Sequence, residues 1–283
     1  MRVVLFDLDD TLYPELEYVR SGFRAVSEAF AFRGAAASSP QCETTTDARA
    51  VAQSTSGALP GKSTNSGPPT AARTVSSDQL LAWMEEFFQA NRAHVFDMLA
   101  ERMAHLVGSD APERDEDRSA RVHQLALQMI NCYRGHTPRI HLYPDAAACL
   151  EVLRARHIPL GLITDGLAEV QEKKVQALGL ADLFDLIIYT DRLAPERRYW
   201  KPSPRAFKLA ASYFGVSPQE CCYVADNPAK DFAGPASLGM TTIWVRRPGG
   251  IYSGFVPCGD TNLFDWVDCQ LTTLDHLPSV LGV

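Results

Sequence analysis

The spacing of apolar and polar positions changes along this chain, and the changes divide it. The first apolar run, Val3-Val4-Leu5-Phe6, is short and closed by carboxylates in Asp7-Leu8-Asp9-Asp10-Thr11. A run of this kind, bounded by polar residues, predicts a buried strand. Over residues 15–32, Leu16, Val19, Phe23, Val26 and Phe30 recur at helical spacing and predict an amphipathic helix. Helical patterning returns over residues 78–107, with Ser77 or Asp78 placed to cap it, and over 117–134 after the charged break ERDEDR, a solvated turn. From Tyr143 onward short apolar runs alternate with amphipathic stretches. Helices are predicted over 144–157, 167–178, 202–214 and 228–238, and strands over 159–164, 186–190, 222–225 and 241–245, with a last helix from Thr273. Such alternation implies right-handed crossovers and a parallel sheet covered on both faces.

The fold class expected is therefore α/β, a Rossmann-like parallel sheet flanked by helices with an inserted all-helical cap subdomain. Residues 1–14 and 138–283 would form the core and 15–137 the cap. Within the cap, residues 35–77 are dominated by Ala, Ser, Thr, Gly and Pro, and cannot bury enough surface to offset their ordering entropy. They read as a disordered or loosely attached insertion. Its GALPGKS segment, residues 57–63, has glycines one residue too close for a phosphate-binding P-loop and no strand before it.

Composition narrows the function. The 283 residues, 46% hydrophobic, suffice for a main domain and a subdomain. Lys and Arg number 27 against 34 Asp and Glu, a net charge of -7 that lacks the basic footprint of a nucleic-acid partner. A small anionic substrate remains compatible, because a bound metal reverses the field within one cleft. Seven cysteines without a CxxC pair match neither a disulfide framework nor a structural zinc site, and Cys221 and Cys222 read as packing residues. The first strand begins at Arg2, no leader pattern precedes it and no apolar stretch reaches membrane-spanning length, so a soluble cytoplasmic chain without a membrane partner is expected. The oligomeric state is left open.

Chemistry gathers at strand ends, where open α/β sheets hold their ligands. Asp7 and Asp9, two residues apart, place one carboxylate to attack and a second to move a proton, with a divalent cation suppressing their repulsion. Ile163-Thr164-Asp165-Gly166 supplies a hydroxyl, backbone N–H groups leading into a helix, and a glycine that permits close approach to a phosphate. In Lys201-Pro202 the proline holds the lysine extended, so that its ammonium can be aimed into the same cleft. Asp226, after the strand of residues 222–225, offers the hard oxygen that Mg²⁺ prefers, and Asp231 could hold Lys201 or a metal-bound water. Each cluster alone has a plainer reading as a polar turn, a solvated lysine or a helix cap.

Taken in order, strand-DxDxT, strand-Thr-Asp-Gly, Lys-Pro and strand-DNxxxxD closely resemble the haloacid dehalogenase superfamily of phosphotransferases over residues 1–14 and 138–252. The interposed helices fall where that superfamily places a C1-type cap. The resemblance implies that Asp7 is the nucleophile, forming an aspartyl-phosphate, and that Asp9 is first general acid and then base. It implies Mg²⁺ held by the Asp7 side chain, the Asp9 carbonyl and Asp226. Thr164 and Asp165, with Gly166, would hold the phosphoryl oxygens, and Lys201, Asp231 and Thr11 would support. Asp9 favours phosphatase or phosphomutase, since the dehalogenase branch lacks this acid and the pumping ATPases carry Thr there. Ala225 stands where many relatives have Gly, which removes no ligand. The expected activity is a Mg²⁺-dependent phosphomonoesterase acting on a small phosphorylated metabolite. The stretch Arg246-Arg247-Pro248-Gly249-Gly250-Ile251-Tyr252 is similar to hydrolases of surface-sugar biosynthesis, which puts a sugar phosphate first and a nucleoside monophosphate or phosphoglycolate behind it. The alternatives are a phosphomutase using the same aspartate and a catalytically idle scaffold that binds.

Overall fold

β1, Val3–Phe6, is flanked in parallel by β2, Leu160–Thr164, and β4, Cys221–Ala225, with Phe6 opposite Leu162 on one side and Val224 on the other. In the computed structural model, which describes residues 1–31, 74–107, 114–254 and 265–283, the sheet continues on both sides of this central group. β3, Leu186–Tyr189, lies beyond β2; β5, Thr241–Val245, and β6, Cys269–Leu271, lie beyond β4. The order is β3-β2-β1-β4-β5-β6, all parallel. Strand order reverses at β1, so the segments leaving β1, β2 and β4 emerge together at the carboxyl edge.

Both faces of the sheet are dry. Val4, Phe6, Leu160, Leu162, Cys222 and Val224 pack with Leu150 and Leu153 of α5, Pro144–Ala155, Val175 of α6, Ala168–Ala177, and Leu277 of α9, Leu277–Leu281. On the opposite face Val3, Leu5, Ile163 and Tyr223 pack with Phe207 and Ala210 of α7, Arg205–Phe214. Each large apolar side chain so buried contributes about 1.5–3 kcal/mol. Phe207 meets Tyr223 edge to face at 4.8 Å, which fixes a tyrosine whose hydroxyl reaches the strand-end cleft. The described cysteines are free thiols, and burial pushes Cys221 up to about 11.

Several elements depart from the sequence expectation. The helix expected over 78–107 is two, α2, Ser77–Ala90, and α3, Val95–Val107, because Asn91 turns extended and its side chain accepts the Ala93 N–H at 3.1 Å. Its cap is Ser76, which accepts from Gln79 N at 3.1 Å, in place of Ser77 or Asp78. α7 starts at Arg205 rather than Pro202, since Ser203 precedes a proline and is disfavoured from helical geometry. The helix expected over 228–238 shrinks to α8, Ala233–Ala236. Residues 227–231 form a turn in which Asp231 accepts the Asn227 N–H, and Gly234 lies so close to Pro202 O that a Cβ there would stand 2.5 Å away. β6 was not anticipated.

The chain divides into two compact units, residues 1–26 with 130–283, and residues 27–129. Their boundaries fall inside α1, Glu15–Phe30, and α4, Asp115–Gly135. In the second unit Leu80, Met84 and Phe87 of α2 and Leu99 and Met103 of α3 are buried. Arg102 stacks on Trp83 and Phe87 while pairing with Glu86 at 3.3 Å. The insertion expected over 35–77 lies outside the described residues except for its last four positions.

Candidate active site

The first carboxylate after β1 meets a buried lysine. The Asp7 N–H bonds Val224 O at 2.9 Å, so the β1–β4 ladder runs up to the residue whose side chain enters the cleft. Lys201, on the loop after β3, bonds Asp7 Oδ1 and Tyr223 Oη, the latter at 2.9 Å, and pairs with Asp231 Oδ1 at 2.8 Å. Its backbone N–H faces both oxygens of Asp165 at 3.3 Å. Asp165 also accepts from Thr190 Oγ1 at 2.6 Å, and Lys230 Nζ stands 3.5 Å from it and 3.3 Å from Asp231.

Charge in this group does not balance. Four carboxyl groups, Asp7, Asp165, Asp226 and Asp231, face two ammonium groups, Lys201 and Lys230, so full ionisation would leave an excess of two negative charges. Oxygens of Asp7, Asp226 and Asp231 lie within 4.8 Å of one another, all three residues buried. Burial pushes Asp7 up to about 6, partly relieved by Lys201. Burial, then Asp7 and Asp231, hold the Asp226 carboxyl well above the usual carboxylate range. Asp231 goes the other way, since Lys201 and Lys230 together outweigh its burial. Among the described residues Asp226 receives one long side-chain hydrogen bond, from Thr11 Oγ1 at 3.4 Å. Among the described residues no ammonium pairs with Asp226, although Lys230 acts on it from farther off; a buried carboxyl with anionic neighbours is a hard oxygen donor suited to a divalent cation, so this donor set fits Mg²⁺.

Asp9 turns elsewhere. Its Oδ1 accepts from Lys174 Nζ at 2.7 Å and from Tyr13 Oη, and its Oδ2 accepts from Gln171 Nε2 at 2.8 Å. Burial opposes ionisation here, but Lys174, Tyr13 and Gln171 outweigh it and hold the carboxyl below its ordinary range. Gln171 Nε2 also donates to Thr164 Oγ1 at 2.6 Å, which links the Thr-Asp-Gly segment to Asp9. Gly166 has φ of 120°, and a Cβ there would meet Gln171 Cδ at 3.2 Å.

The structure thus gathers Asp7, Lys201, Asp226, Asp231 and Thr11 into one cluster, and Asp9 with Thr164 into a second. The Asp165 carboxylate braces the Lys201 loop. The Asp9 side chain takes no part in the three-acid cluster; Asp231 does. Asp10, at φ 51°, is a turn residue whose oxygens accept from Glu15 N at 2.8 Å and Ile251 N at 2.9 Å. Sequence reasoning missed Tyr13, Gln171, Lys174, Lys230 and Tyr223. Lys230 stood beside Asp231 in the same motif; Gln171 and Lys174 were polar residues on a helix like their neighbours, Tyr13 lay in the turn after β1, and Tyr223 lay within a strand buried at every position. It also missed Glu15, which burial and then Asp9 push up to about 7.

A family model described as haloacid dehalogenase-like hydrolase matches residues 1–239. The chain is 31% identical over 255 residues to a phosphoserine phosphatase of Thermus thermophilus, covering 87% of this chain and 89% of that one. It is 26% identical over 273 residues to a glyceraldehyde 3-phosphate phosphatase of Methanopyrus kandleri, covering 94% and 92%. A solved 2-haloacid dehalogenase from Pseudomonas syringae pv. Tomato shares the fold, with a TM-score of 0.52 at 21% identity over 100% of this chain and 98% of that one.

Proposed function

Because the chain belongs to the haloacid dehalogenase-like hydrolase family, we propose that it is a Mg²⁺-dependent phosphomonoesterase that works through a phosphorylated Asp7. The observation that carries this reading is that the two acids of Asp7-Leu8-Asp9 have different partners. Asp7 lies among Lys201, Asp226 and Asp231, whereas Asp9 is held apart by Lys174, Tyr13 and Gln171. One acid is in place to attack phosphorus and the other to move a proton. A dehalogenase needs the first alone, which favours phosphate chemistry over dehalogenation.

The Asp7 and Asp226 carboxylates and the Asp9 carbonyl would hold the metal, which when bound neutralises the phosphoryl oxygens and the acid excess of the cleft. In the first step an Asp7 oxygen bonds to phosphorus as the ester P–O bond breaks, and Asp9 gives its proton to the departing oxygen. In the second, Asp9 takes a proton from water as that oxygen bonds to phosphorus and Asp7 is released. Proton transfer of this kind typically contributes ~10² to 10⁴ in rate. Lys201 holds Asp7 in line and offsets charge on the transferring group, with Asp231 anchoring the ammonium. Thr164 and the N–H groups of Asp165 and Gly166 receive phosphoryl oxygens.

The substrate class is a small phosphorylated metabolite. Phosphoserine and glyceraldehyde 3-phosphate, named by the relatives, join sugar phosphates as candidates. The test is a phosphate-release screen over these esters and nucleoside monophosphates, with and without Mg²⁺, beside Asp7→Asn. Release that requires Mg²⁺ and vanishes in Asp7→Asn supports the reading. Equal turnover by both proteins overturns it, and phosphoryl transfer within one sugar with little free phosphate favours a mutase.

A further inference from the structure

The inner face of α6 carries two residues that have no part in the steps above. Gln171 and Lys174 are three apart on that helix and so share one face. Gln171 is 1% exposed and Lys174 5%. A lysine on a helix that covers a sheet ordinarily extends its ammonium to water. Lys174 instead turns inward, with the Tyr18 ring centroid 4.4 Å from its Nζ and that of Tyr13 6.0 Å away. Its hydrogen bond goes to Asp9 Oδ1 at 2.7 Å.

A carboxylate has about four acceptor positions, two on each oxygen. Lys174 and Tyr13 take both positions on Asp9 Oδ1. Gln171 takes one on Oδ2, and its second N–H goes to Thr164 Oγ1, so its amide is fully committed and cannot swing aside. Gly166 leaves room for that amide, since a Cβ there would press on it at 3.2 Å. Among the described residues one acceptor position of Asp9 is left, on Oδ2.

We infer that Gln171 and Lys174 are positioning residues, which hold Asp9 so that a single lone pair of Oδ2 serves the leaving oxygen and then the attacking water. The inference rests on the proposed phosphatase reading and deepens it. Lys174, Tyr13 and Gln171 favour the ionised carboxylate, so the first step draws on the form that carries a proton at the remaining Oδ2 position: that Oδ2–H bond breaks, its proton goes to the leaving oxygen, and the P–O bond electrons stay with that oxygen. In the second, Oδ2 takes a proton from water, which restores the starting state. Without Lys174 the carboxylate loses its charged bond and is held only by the Tyr13 hydroxyl and the Gln171 amide, a looser hold that lets Oδ2 depart from its angle.

The readout is dependence on the leaving group. In phenyl phosphate the departing phenolate needs a proton, whereas the nitrophenolate of p-nitrophenyl phosphate departs without one. kcat/KM for both esters with Mg²⁺, which reports steps up to the first P–O cleavage, is measured for wild type, Lys174→Met, Gln171→Leu and Asp9→Asn, with thermal melts to establish folding. Lys174→Met is expected to lose about 10²-fold on phenyl phosphate and under about 5-fold on the nitro ester, in parallel with Asp9→Asn. Gln171→Leu should show the same sense, with about a 10-fold loss on phenyl phosphate. Equal loss on both esters in folded variants, or no loss, overturns the inference while leaving the phosphatase reading intact. Should Lys174→Met not fold, Gln171→Leu and Lys174→Arg decide by the same comparison. Absence of Mg²⁺-dependent phosphate release by wild type from these two esters and from every ester of the metabolite screen removes the phosphatase reading, and the inference with it.

Discussion

Lys201 Nζ lies 2.8 Å from Asp231 Oδ1, with both side chains fully shielded from water, while the same ammonium also bonds Asp7. Removing one member of a buried pair leaves the other charge uncompensated, which costs about 3–5 kcal/mol. Lys201→Met should therefore lower the stability of the metal-free protein by about that amount in chemical denaturation and abolish phosphate release. A loss under about 1 kcal/mol would mean that water reaches the pair.

Asp226 predicts the opposite sign. Its carboxyl is buried among Asp7 and Asp231 and, among the described residues, receives only the long Thr11 hydrogen bond, so ionising it opposes folding until a cation binds. Asp226→Asn should raise metal-free stability at neutral pH, on the order of 1–2 kcal/mol, and remove the stabilisation that Mg²⁺ gives wild type. At a hundredfold excess over Kd that stabilisation is about 2.7 kcal/mol. Thermal melts with EDTA and with Mg²⁺ check both; a variant that Mg²⁺ still stabilises would exclude Asp226 as a ligand.

Away from the cleft, Asp145 makes a pH-dependent brace. Partial burial alone would raise its carboxyl, but the Leu274 N–H at 2.7 Å, the Arg247 guanidinium and Thr273 Oγ1 at 2.8 Å lower it below its ordinary value of 3.8. A depressed folded value means that the unfolded chain binds protons more readily at low pH. The stability contributed is then complete above about pH 5 and lost as pH falls through the folded value. Asp145→Asn should cost about 2 kcal/mol at pH 7, with the difference from wild type narrowing in urea titrations below pH 4. A gap that stays constant with pH would rule out the ionised carboxylate as its source.

The existence of the first five strands was legible because each is a short apolar run bounded by polar or turn residues, the length and pattern of a buried strand, whereas their order in the sheet was not. The same pattern delivered Asp7, Thr164 and Asp226, since a strand's last residue fixes where its successor points. Helix limits were less legible. Asn91 breaks 78–107 through its own side chain, and residues 227–231 wrap around Asp231 instead of starting a helix, both local hydrogen-bond choices that periodicity does not register. Gln171 and Lys174 were hidden for a different reason. In Glu169-Val170-Gln171-Glu172-Lys173-Lys174 all the polar residues look alike, and only the placement of α6 over β2 separates the buried Lys174, which reaches Asp9, from the half-buried Lys173, which caps the carbonyls of Arg134 and Gly135. Asp165 was expected to serve through its backbone; its carboxylate also braces Thr190 and the Lys201 loop, a tertiary contact that no spacing announces.

Covalent participation of Asp7 is the central claim, and acid-quench peptide mapping tests it most directly. Enzyme mixed with Mg²⁺ and radiolabelled p-nitrophenyl phosphate, whose leaving group needs no proton, then quenched within one turnover, should yield one labelled peptide, the one containing Asp7, with the phosphoryl group on Asp7. Asp7→Asn should yield none. Label on another residue, or phosphate release without labelled protein by an enzyme whose second step is slowed by Asp9→Asn, would contradict the account.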